Sequence, residues 1–472
     1  MLKLMKVILY VEITLLLMLI GTACTVGPVT QLLSSPLSAQ ESSSPLSIPT
    51  AILTDVPTTT PVPAQTGVAF SPYFRLFPIP AATTSRALAL AFIAGDWERH
   101  SPDSLWVASL DGSGERRLAE DVSHVKWSPD GDLLACVHQG SLWVVSPDGT
   151  KAWKRVPMDE EKGAVVLFSW APGGKRIAFV QRKQWGSPEY LGIVSNKDGR
   201  LSYLITAEDH SASQTRFTEP VWSPDEQWIA FFRYDLYQLQ VVHVSDAMVA
   251  SLPFCGGFGG GIEALSWSPL GDRLALWFYG NGRYAHGSVC VSTLDGQETA
   301  LDVGGDSTNP VWGTDGQSLY VLATNFNPND PDLDLDPRLL RFTADGQYSE
   351  RLAPLKSAGS LSLSPNGVWL SILFGADNNP TFQIVSCDGT EVIMQKIRAP
   401  GAVLYAQTPH HVYSWAPDSH HLVFLAGQYN TPDTIGVRQY GAIYALDFRT
   451  GELTRLTNDH WIKEYSVSPA SD

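Results

Sequence analysis

Trp127-Ser128-Pro129-Asp130-Gly131 is a motif that recurs, with small changes, along most of this chain. In each copy the Pro fixes φ, the Asp can accept hydrogen bonds from the turn backbone, and the Gly supplies positive φ. An apolar stretch follows, such as Leu133–Val137. The motif therefore predicts two short antiparallel strands joined by a tight turn. The eight anchor positions are Trp127, Trp170, Trp222, Trp267, Trp312, Leu363, Trp415 and Val467.

The spacing between successive anchors is nearly constant, at 43, 52, 45, 45, 51, 52 and 52 residues. A period of this size is typical of propellers and solenoids. Each repeat also contains a third strand that ends in a second turn, and a fourth strand that often ends in Arg-Leu, as at Arg117-Leu118. Four short strands per repeat describe a propeller blade, and no long segment has helical periodicity. The sequence therefore predicts an all-β protein, a β-propeller of four-stranded blades.

The number of blades follows from the two ends of the repeat region. Seven complete repeats begin at the anchors from Trp127 to Trp415, and two fragments remain. Residues 86–121 supply a second, third and fourth strand, whereas Glu464–Ser468 supplies only a first strand. Together they complete one blade and close the ring, which removes exposed sheet edges. We therefore expect eight blades, with seven as the alternative; Val68–Pro72 also looks like a first strand and could compete with the C-terminal one.

The repeats resemble those of the TolB-type propeller family, in which a Trp-Ser-Pro-Asp-Gly turn precedes an apolar strand. The resemblance covers residues from about 86 to 469. It implies the fold more securely than the function, because one propeller fold serves many functions. TolB proteins carry an α/β domain before a six-bladed propeller. This chain has a different N-terminal region and more repeats, so the resemblance does not imply a Tol–Pal role.

The N-terminus has the features of an export signal. Lys3 and Lys6 precede an apolar run, Val7–Ile20, and small residues lead to Cys24. A charged start, a short apolar run and small residues before a cleavage point are typical of a signal peptide. The end of this segment resembles a bacterial lipobox, although Gly21 stands where Leu is usual. The resemblance implies cleavage before Cys24 and attachment of lipid to its sulfur, with plain secretion as the alternative.

Three regions are therefore expected. Residues 1–23 form the signal peptide, residues 24–66 the lipidated cysteine with a Ser/Thr/Pro-rich tether, and residues 67–472 the propeller domain. The tether is too poor in apolar residues to fold. We expect an exported protein, anchored to a membrane on the extracytoplasmic side, at the cell surface or in the periplasm. The net charge of -16 makes nucleic acid an unfavourable partner.

The remaining cysteines lie in two kinds of sequence. Cys136, Cys290 and Cys387 lie in or beside apolar strands, where cysteine usually behaves as a small buried hydrophobe, and Cys255 lies in a glycine-rich loop. An exported protein can form disulfides, but four cysteines allow three pairings and the sequence does not choose among them.

The loops after the second and fourth strands of each repeat are long and dissimilar, Gly427–Gly441 among them, whereas the turns after the first and third strands are short and alike. Variable loops on one face of a rigid repeat scaffold indicate the binding face. Exposed aromatic side chains suit protein or polysaccharide partners. The candidate binding-face aromatics are Trp185, Tyr234, Tyr284 and Tyr440.

Residues just before the anchors should lie at the mouth of the central channel, on the same variable face. They could hold a cation or a cationic ligand group, or simply line a solvated channel. These candidate ligand-binding residues are His124, Glu219, Glu263, Asn309, His411 and Glu464. One loop alternates carboxylates and is a weak candidate for binding calcium. We expect no other cofactor. Its residues are Asp330, Asp332, Asp334 and Asp336.

No catalytic signature is present: the sequence lacks a GxSxG elbow, a Walker loop and a dinucleotide-binding GxGxxG. We therefore expect a non-catalytic cell-envelope lipoprotein whose propeller binds a protein or glycan partner through its variable-loop face. The alternatives are an enzyme at the channel mouth, such as a polysaccharide lyase or hydrolase with or without a metal requirement, and an extracytoplasmic sensor domain.

Overall fold

The computed structural model describes most of the repeat region and none of the first 73 residues. The described residues are 74, 76–77, 88–95, 102–184, 187–206, 216–255, 262–279, 287–303, 306–308, 310–324, 337–355, 359–374, 380–397, 413–433 and 436–469. The expected signal peptide, Cys24 and the whole of the tether lie outside these ranges. Within them, regular structure is entirely β, in 33 strands. No helix long and apolar enough to cross a membrane occurs among these residues.

The strands are arranged in blades that we number in chain order. Blade 1 combines β1 (Leu88–Gly95), β2 (Ser104–Ser109) and β3 (Arg116–Glu120) with the last strand of the chain, β33 (His460–Val467). Blade 2 contains β4 (Val122–Trp127), β5 (Leu134–His138), β6 (Ser141–Val145) and β7 (Ala152–Val156). Blade 3 contains β8 (Ala164–Trp170), β9 (Arg176–Arg182), β10 (Glu189–Ser195) and β11 (Leu201–Ile205). Blade 4 contains β12 (Val221–Trp222), β13 (Trp228–Arg233), β14 (Gln238–His243) and β15 (Val249–Leu252).

The second half of the ring repeats this antiparallel order. Blade 5 contains β16 (Ile262–Trp267), β17 (Arg273–Tyr279), β18 (Gly287–Thr293) and β19 (Glu298–Ala300). Blade 6 has its first strand in two pieces, β20 (Asp306–Ser307) and β21 (Val311–Trp312), followed by β22 (Ser318–Thr324), β23 (Arg338–Thr343) and β24 (Tyr348–Pro354). Blade 7 contains β25 (Ser360–Leu363), β26 (Trp369–Phe374), β27 (Thr381–Ser386) and β28 (Val392–Lys396). Blade 8 contains β29 (Tyr413–Trp415), β30 (His421–Asp433), β31 (Gly436–Asp447) and β32 (Leu453–Arg455).

The two ends of the repeat region close the ring. Strand β33 pairs antiparallel with β1, with Phe92 opposite Tyr465 and Ile93 opposite Glu464. The described strands therefore form eight blades, closed by N- and C-terminal strands as predicted, and the alternative of seven is wrong. Strand β33 begins at His460, four residues before the predicted start at Glu464. It occupies the first-strand position of blade 1, for which the sequence offered Val68–Pro72 as an alternative.

Apolar side chains of adjacent blades interlock around the ring. Every junction between neighbouring blades in the described residues has its own buried hydrophobic cluster, eight in all. At the junction of blades 8 and 1, for example, Phe92 and Leu90 pack with Val423 and Ile443. Because the core is divided among the junctions, each blade is stabilised mainly by its two neighbours.

The anchor tryptophans also join neighbouring blades through hydrogen bonds. In all six repeats that have Trp at the anchor, the indole N–H donates to a backbone carbonyl in the first strand of the preceding blade. The acceptor is the residue just before that blade's own anchor. The pairs are Trp127–Ser466, Trp170–Lys126, Trp222–Ser169, Trp267–Val221, Trp312–Ser266 and Trp415–Ser362.

The tight turn of the motif has the expected chemistry. After Trp127, the Ser128 hydroxyl donates to Asp130 at 2.5 Å and accepts the Leu133 N–H at 2.9 Å. Gly131 has a φ of 71°, a conformation that glycine adopts without steric cost. These bonds close the turn from within, so the local sequence specifies it.

A segment before β1 covers the outer edge of blade 1. Leu76 forms an antiparallel bridge with Ala119 of β3, and the Phe77 N–H donates to the Leu118 carbonyl at 2.9 Å. Phe74 stacks on Trp143 of blade 2, with ring centroids 4.4 Å apart. The outermost strand of blade 1 is thereby paired at this point rather than exposed.

One disulfide joins blades 4 and 5. Cys255, which follows β15, is bonded to Cys290 on β18, with Cα atoms 5.8 Å apart. Cys136 and Cys387 are free thiols, and Cys136 is buried, as the apolar strand around it suggests. The structure thus selects one pairing that the sequence left open and corrects the expectation that Cys290 acts only as a small hydrophobe.

The segment Gly427–Gly441, which the sequence suggested to be a variable loop, is instead a continuation of strands β30 and β31. These strands pair as far as Asp433 and Gly436. Two glycines permit the close approach, because a Cβ on Gly427 would lie 2.0 Å from the Tyr440 carbonyl oxygen, and one on Gly441 would lie 2.1 Å from that of Ala426. Strand β31 also pairs with the start of β33, so blades 8 and 1 share one eight-stranded sheet.

Candidate functional site

The long hairpin meets the closing blade at the variable face, and a cavity of about 410 Å³ lies at this seam. We call it the seam cavity. The β1–β2 connection, the start of β33 and the projecting part of β31 all contribute to it. Its principal side chains are those of Trp106, Arg117, Tyr440, Asp459, His460 and Trp461.

Two aromatic side chains on adjacent strands form one wall of the seam cavity. Tyr440 on β31 lies opposite Trp461 on β33, and their ring centroids are 5.2 Å apart at an angle of 56°. On its other side Trp461 lies opposite Gly95 of β1, which has no side chain. Trp461 thus has the Tyr440 side chain beside it on one neighbouring strand and a glycine as its register partner on the other, since paired residues share one face of the sheet.

A second group of rings lies deeper in the seam. The His460 ring packs against those of Trp106 and Phe92, with centroid distances of 4.7 Å and 5.5 Å, and these two rings also stack on each other at 6.1 Å. Phe92 is fully buried, whereas Trp106 is only partly buried and lines the cavity. The histidine ring thus belongs to a cluster of three aromatic rings.

Glu115 holds the connection that leads into β33. One of its carboxylate oxygens lies 2.7 Å from His460 Nε2, and the other accepts the Asn458 N–H at 2.5 Å. Burial opposes ionisation of Glu115, but the hydrogen bonds from His460 and Asn458 outweigh it and lower the pKa of the carboxyl below its ordinary value. An ionised Glu115 therefore positions both the imidazole and the backbone at the edge of the cavity.

The charged residues of the seam cavity are paired within the protein. Arg455 donates to Asp459 at 2.7 Å, and Arg117 contacts Glu120 at 2.8 Å. The Arg117 guanidinium also lies 4.6 Å from the ring centroid of Phe77. The described lining of the cavity thus combines polar atoms with aromatic rings, and its charged side chains are balanced by neighbours of opposite charge.

The predicted channel mouth brings His124 and Glu464 together. Nδ1 of His124 lies 3.2 Å from Glu464 Oε2, and the Val125 N–H donates to Oε1 at 3.2 Å. His124 has a φ of 56° and lies at a bulge in β4, an arrangement that redirects a side chain out of the strand ladder. Burial raises the pKa of Glu464, but the contact with His124 outweighs burial and lowers it below the ordinary value.

Lys126 is a channel residue that the sequence reasoning missed. Its ammonium hydrogen-bonds the Glu219 carboxylate, which belongs to blade 4, and lies 5.8 Å from the ring centroid of Phe168 in blade 3. Lys126 belongs to blade 2, so its side chain reaches across blade 3 to a residue of blade 4. The alternation of buried Val125 and Trp127 around it was the signal that could have placed Lys126 in the channel.

The other predicted residues are dispersed. Glu263 is exposed at the start of β16. Tyr234 is partly buried: its hydroxyl donates to the Ile262 carbonyl at 3.0 Å, and its ring packs against Phe232. Of the named binding-face aromatics, Tyr440 lines the seam cavity and Tyr234 contacts the next blade. The remaining candidates lie outside the described residues: Trp185, Tyr284, Asn309, His411, Asp330, Asp332, Asp334 and Asp336.

The seam-cavity residues Trp106, His460 and Trp461 were absent from the sequence-based candidates. His460 and Trp461 are the first two residues of β33, directly after the connection that follows the last fourth strand. The succession of an acidic residue and two rings, Asp459-His460-Trp461, was the sequence signal that could have identified this site.

Comparisons with known proteins agree on the repeat. The model of the anaphase-promoting complex subunit 4 WD40 domain matches residues 125–219, from β4 to the segment before β12. Residues 125–219 are thus similar to a WD40-type repeat region, and the described blades form a β-propeller. No curated protein sequence matches the chain.

Some solved structures are similar to this chain at low sequence identity. Dipeptidyl peptidase 4 of Porphyromonas gingivalis is 12% identical, with a TM-score of 0.50 over 71% of this chain and 53% of that one. TolB from Acinetobacter baumannii is 12% identical, with a TM-score of 0.34 over 68% of this chain and 85% of that one. An oligogalacturonate lyase in complex with manganese is 13% identical, with a TM-score of 0.45 over 66% of this chain and 95% of that one. At this level the likeness concerns the fold alone.

Proposed function

We propose that this chain is an exported, lipid-anchored propeller that captures a protein or glycan partner on its variable face and does not catalyse a reaction. The observation that carries the proposal is the seam cavity, where Trp106, Tyr440 and Trp461 line a concave site on that face. Ligand sites are concave, largely aromatic or apolar, and carry a few polar groups that orient the ligand.

Two further observations support export. The N-terminal sequence ends its apolar run in small residues before Cys24, and the folded region contains the Cys255–Cys290 disulfide. Disulfides persist mainly in oxidising compartments outside the cytosol. Neither observation depends on the ligand, so localisation and binding can be tested separately.

The channel mouth supports a binding role over a metal-dependent enzyme. Glu464 contacts His124, and Glu219 contacts Lys126, so both carboxylates already have a basic partner within the chain. A metal ion bound by Glu219 would have to displace the Lys126 ammonium. Elemental analysis of the purified chain tests the enzyme alternative, and a stoichiometric transition metal would favour it.

Membrane attachment is tested by replacing Cys24 with Ala in the full-length chain. We expect the wild type in the membrane fraction and the variant in the soluble or secreted fraction, because the apolar run is too short for a good membrane span. If Cys24→Ala stays in the membrane to the same extent, the lipid anchor is wrong.

Ligand capture is tested with the immobilised full-length chain, using a polysaccharide panel and an envelope protein fraction from the source cells. We expect Tyr440→Ala to lose capture, since Tyr440 is exposed in the seam cavity. The matched control is Tyr348→Ala, which removes an equally large exposed ring from the outer strand of blade 6. Equal capture by the wild type and both variants would show that the partner does not bind at Tyr440 in the seam cavity.

A further inference from the structure

We infer that the seam cavity binds an uncharged sugar ring within a glycan chain, an inference that rests on the proposed binding role of the variable face. It follows from the aromatic surfaces, the charge state and the size of the cavity. Each of these features is set by described residues.

The aromatic surfaces suit a pyranose ring. Tyr440 and Trp461 both line the cavity, with ring centroids 5.2 Å apart and ring planes inclined at 56° to each other. Trp106 lines the same cavity from β2. One face of a sugar ring carries C–H groups with partial positive charge, and these pack on the electron-rich face of an aromatic ring.

The charges of the cavity favour an uncharged ligand. The ionisable side chains among its described lining residues have partners in the protein: Arg117 has Glu120, Asp459 has Arg455, and His460 has Glu115. A charged ligand would have to compete with one of these ion pairs. A hydroxyl group need not, because an ion-paired carboxylate or guanidinium keeps capacity for additional hydrogen bonds.

The size of the cavity favours a short saccharide segment over a folded protein surface. Its volume of about 410 Å³ lies near the lower end of the range for small-ligand sites. A stable protein partner instead needs roughly 800 Å² of contact on each side, which is a surface rather than a cavity.

Isothermal titration of the full-length chain tests the inference. The probes are short cello-, malto-, xylo- and galacto-oligosaccharides as neutral sugars, with oligogalacturonides and chitosan oligomers as acidic and basic comparators. We expect one neutral series to bind, and Trp461→Ala or Tyr440→Ala to weaken it about tenfold or more, because each removes one stacking face.

Tyr348→Ala serves as the matched control and should bind like the wild type. Tyr440→Ala guards against misfolding of Trp461→Ala, because Tyr440 is 38% exposed and its loss leaves the core intact. The inference is overturned if no neutral oligosaccharide binds, or if binding survives both cavity variants.

Two results separate this inference from the proposed function. Binding of only acidic or basic oligosaccharides, with loss in Tyr440→Ala, would overturn the neutral-sugar inference and leave glycan capture at this face intact. Capture of a purified protein partner that depends on Tyr440, with no saccharide binding, would likewise overturn the inference while leaving the proposed function.

Discussion

The indole N–H of Trp127 donates a hydrogen bond of 3.1 Å to the backbone carbonyl of Ser466, joining residues 339 positions apart in the sequence. This bond is the ring-closing copy of a contact made by every anchor tryptophan of the described repeats. Elsewhere the contact joins blades that follow one another in the chain; here it joins blade 2 to the C-terminal strand of blade 1. The same local motif therefore builds the repeat and closes the ring.

Replacing Trp127 with Phe should weaken ring closure. Phe keeps an aromatic ring but has no N–H, so the Ser466 carbonyl loses its donor, at a cost of about 1–2 kcal/mol. Chemical unfolding should show this loss of stability, and hydrogen exchange should show reduced protection in β1 and β33.

The control for this prediction is Trp222→Phe, which removes the corresponding bond of 3.3 Å to Ser169 within the continuous part of the ring. It should cost a similar free energy but leave exchange in β1 and β33 unchanged. If Trp127→Phe also leaves those strands fully protected, the bond has no special role in closure.

Deletion of His460–Asp472 should prevent formation of a soluble monomer. The deletion removes β33, which leaves the edge of β1 unpaired and takes Ile462, Tyr465 and Val467 from the cluster between blades 8 and 1. An unpaired, apolar strand edge promotes aggregation. The free energy lost with the strand pairing and the apolar packing of β33 is comparable to the whole free energy of unfolding of a domain. Size-exclusion chromatography checks the outcome, and deletion of only the last three residues should leave the elution unchanged.

Reduction of the Cys255–Cys290 disulfide should destabilise the protein. The bond closes a 35-residue separation, and removing a crosslink of this kind costs about 2–4 kcal/mol. Thermal unfolding with and without reductant should show a lower midpoint for the reduced wild type. The variant Cys255→Ala should be insensitive to reductant, and peptide mapping that finds both thiols free in the untreated protein would contradict the prediction.

Acid should loosen the seam cavity through Glu115. Because hydrogen bonds hold the folded-state pKa of Glu115 below its ordinary value of 4.5, the carboxylate stabilises the fold at pH values above 4.5. That contribution is lost as the pH falls through the folded-state pKa. Glu115→Gln should lower stability at neutral pH by about 1 kcal/mol, since Gln cannot reproduce both charge-assisted bonds.

The difference between wild type and Glu115→Gln should shrink as the pH falls below 4.5, because wild-type Glu115 then becomes protonated. Unfolding by denaturant at a series of pH values measures this difference in the free energy of unfolding between wild type and Glu115→Gln. A difference that stays constant down to the acid limit would show that the charge of Glu115 is not the cause.

Glycine illustrates where sequence reasoning succeeded and where it failed. Gly131 was interpreted correctly as a turn residue, because the Pro-Asp-Gly motif specifies its positive φ locally. Gly427 and Gly441 were interpreted as loop residues, but they lie in paired strands where a Cβ would meet a neighbouring carbonyl. Their role depends on a close approach between strands, which local sequence does not encode.

The seam cavity shows the same limit. Tyr440 was identified as a binding-face aromatic because it lies in a variable segment. Its partners Trp461 and Trp106 were not identified, since they come from opposite ends of the propeller and meet only when β33 pairs with both β1 and β31. No spacing in the chain relates them.

The strand-and-turn repeat, the preference for eight blades and the closure of the ring by its two ends could be predicted from the sequence, because the turn chemistry and the repeat period are local and the incomplete end repeats complement each other. The disulfide pairing, the merging of blades 8 and 1 into one sheet, and the group of rings around Trp461 were visible only in the folded chain. These features depend on contacts between residues far apart in the chain, and such contacts are set by packing around the closed ring rather than by any short stretch of sequence.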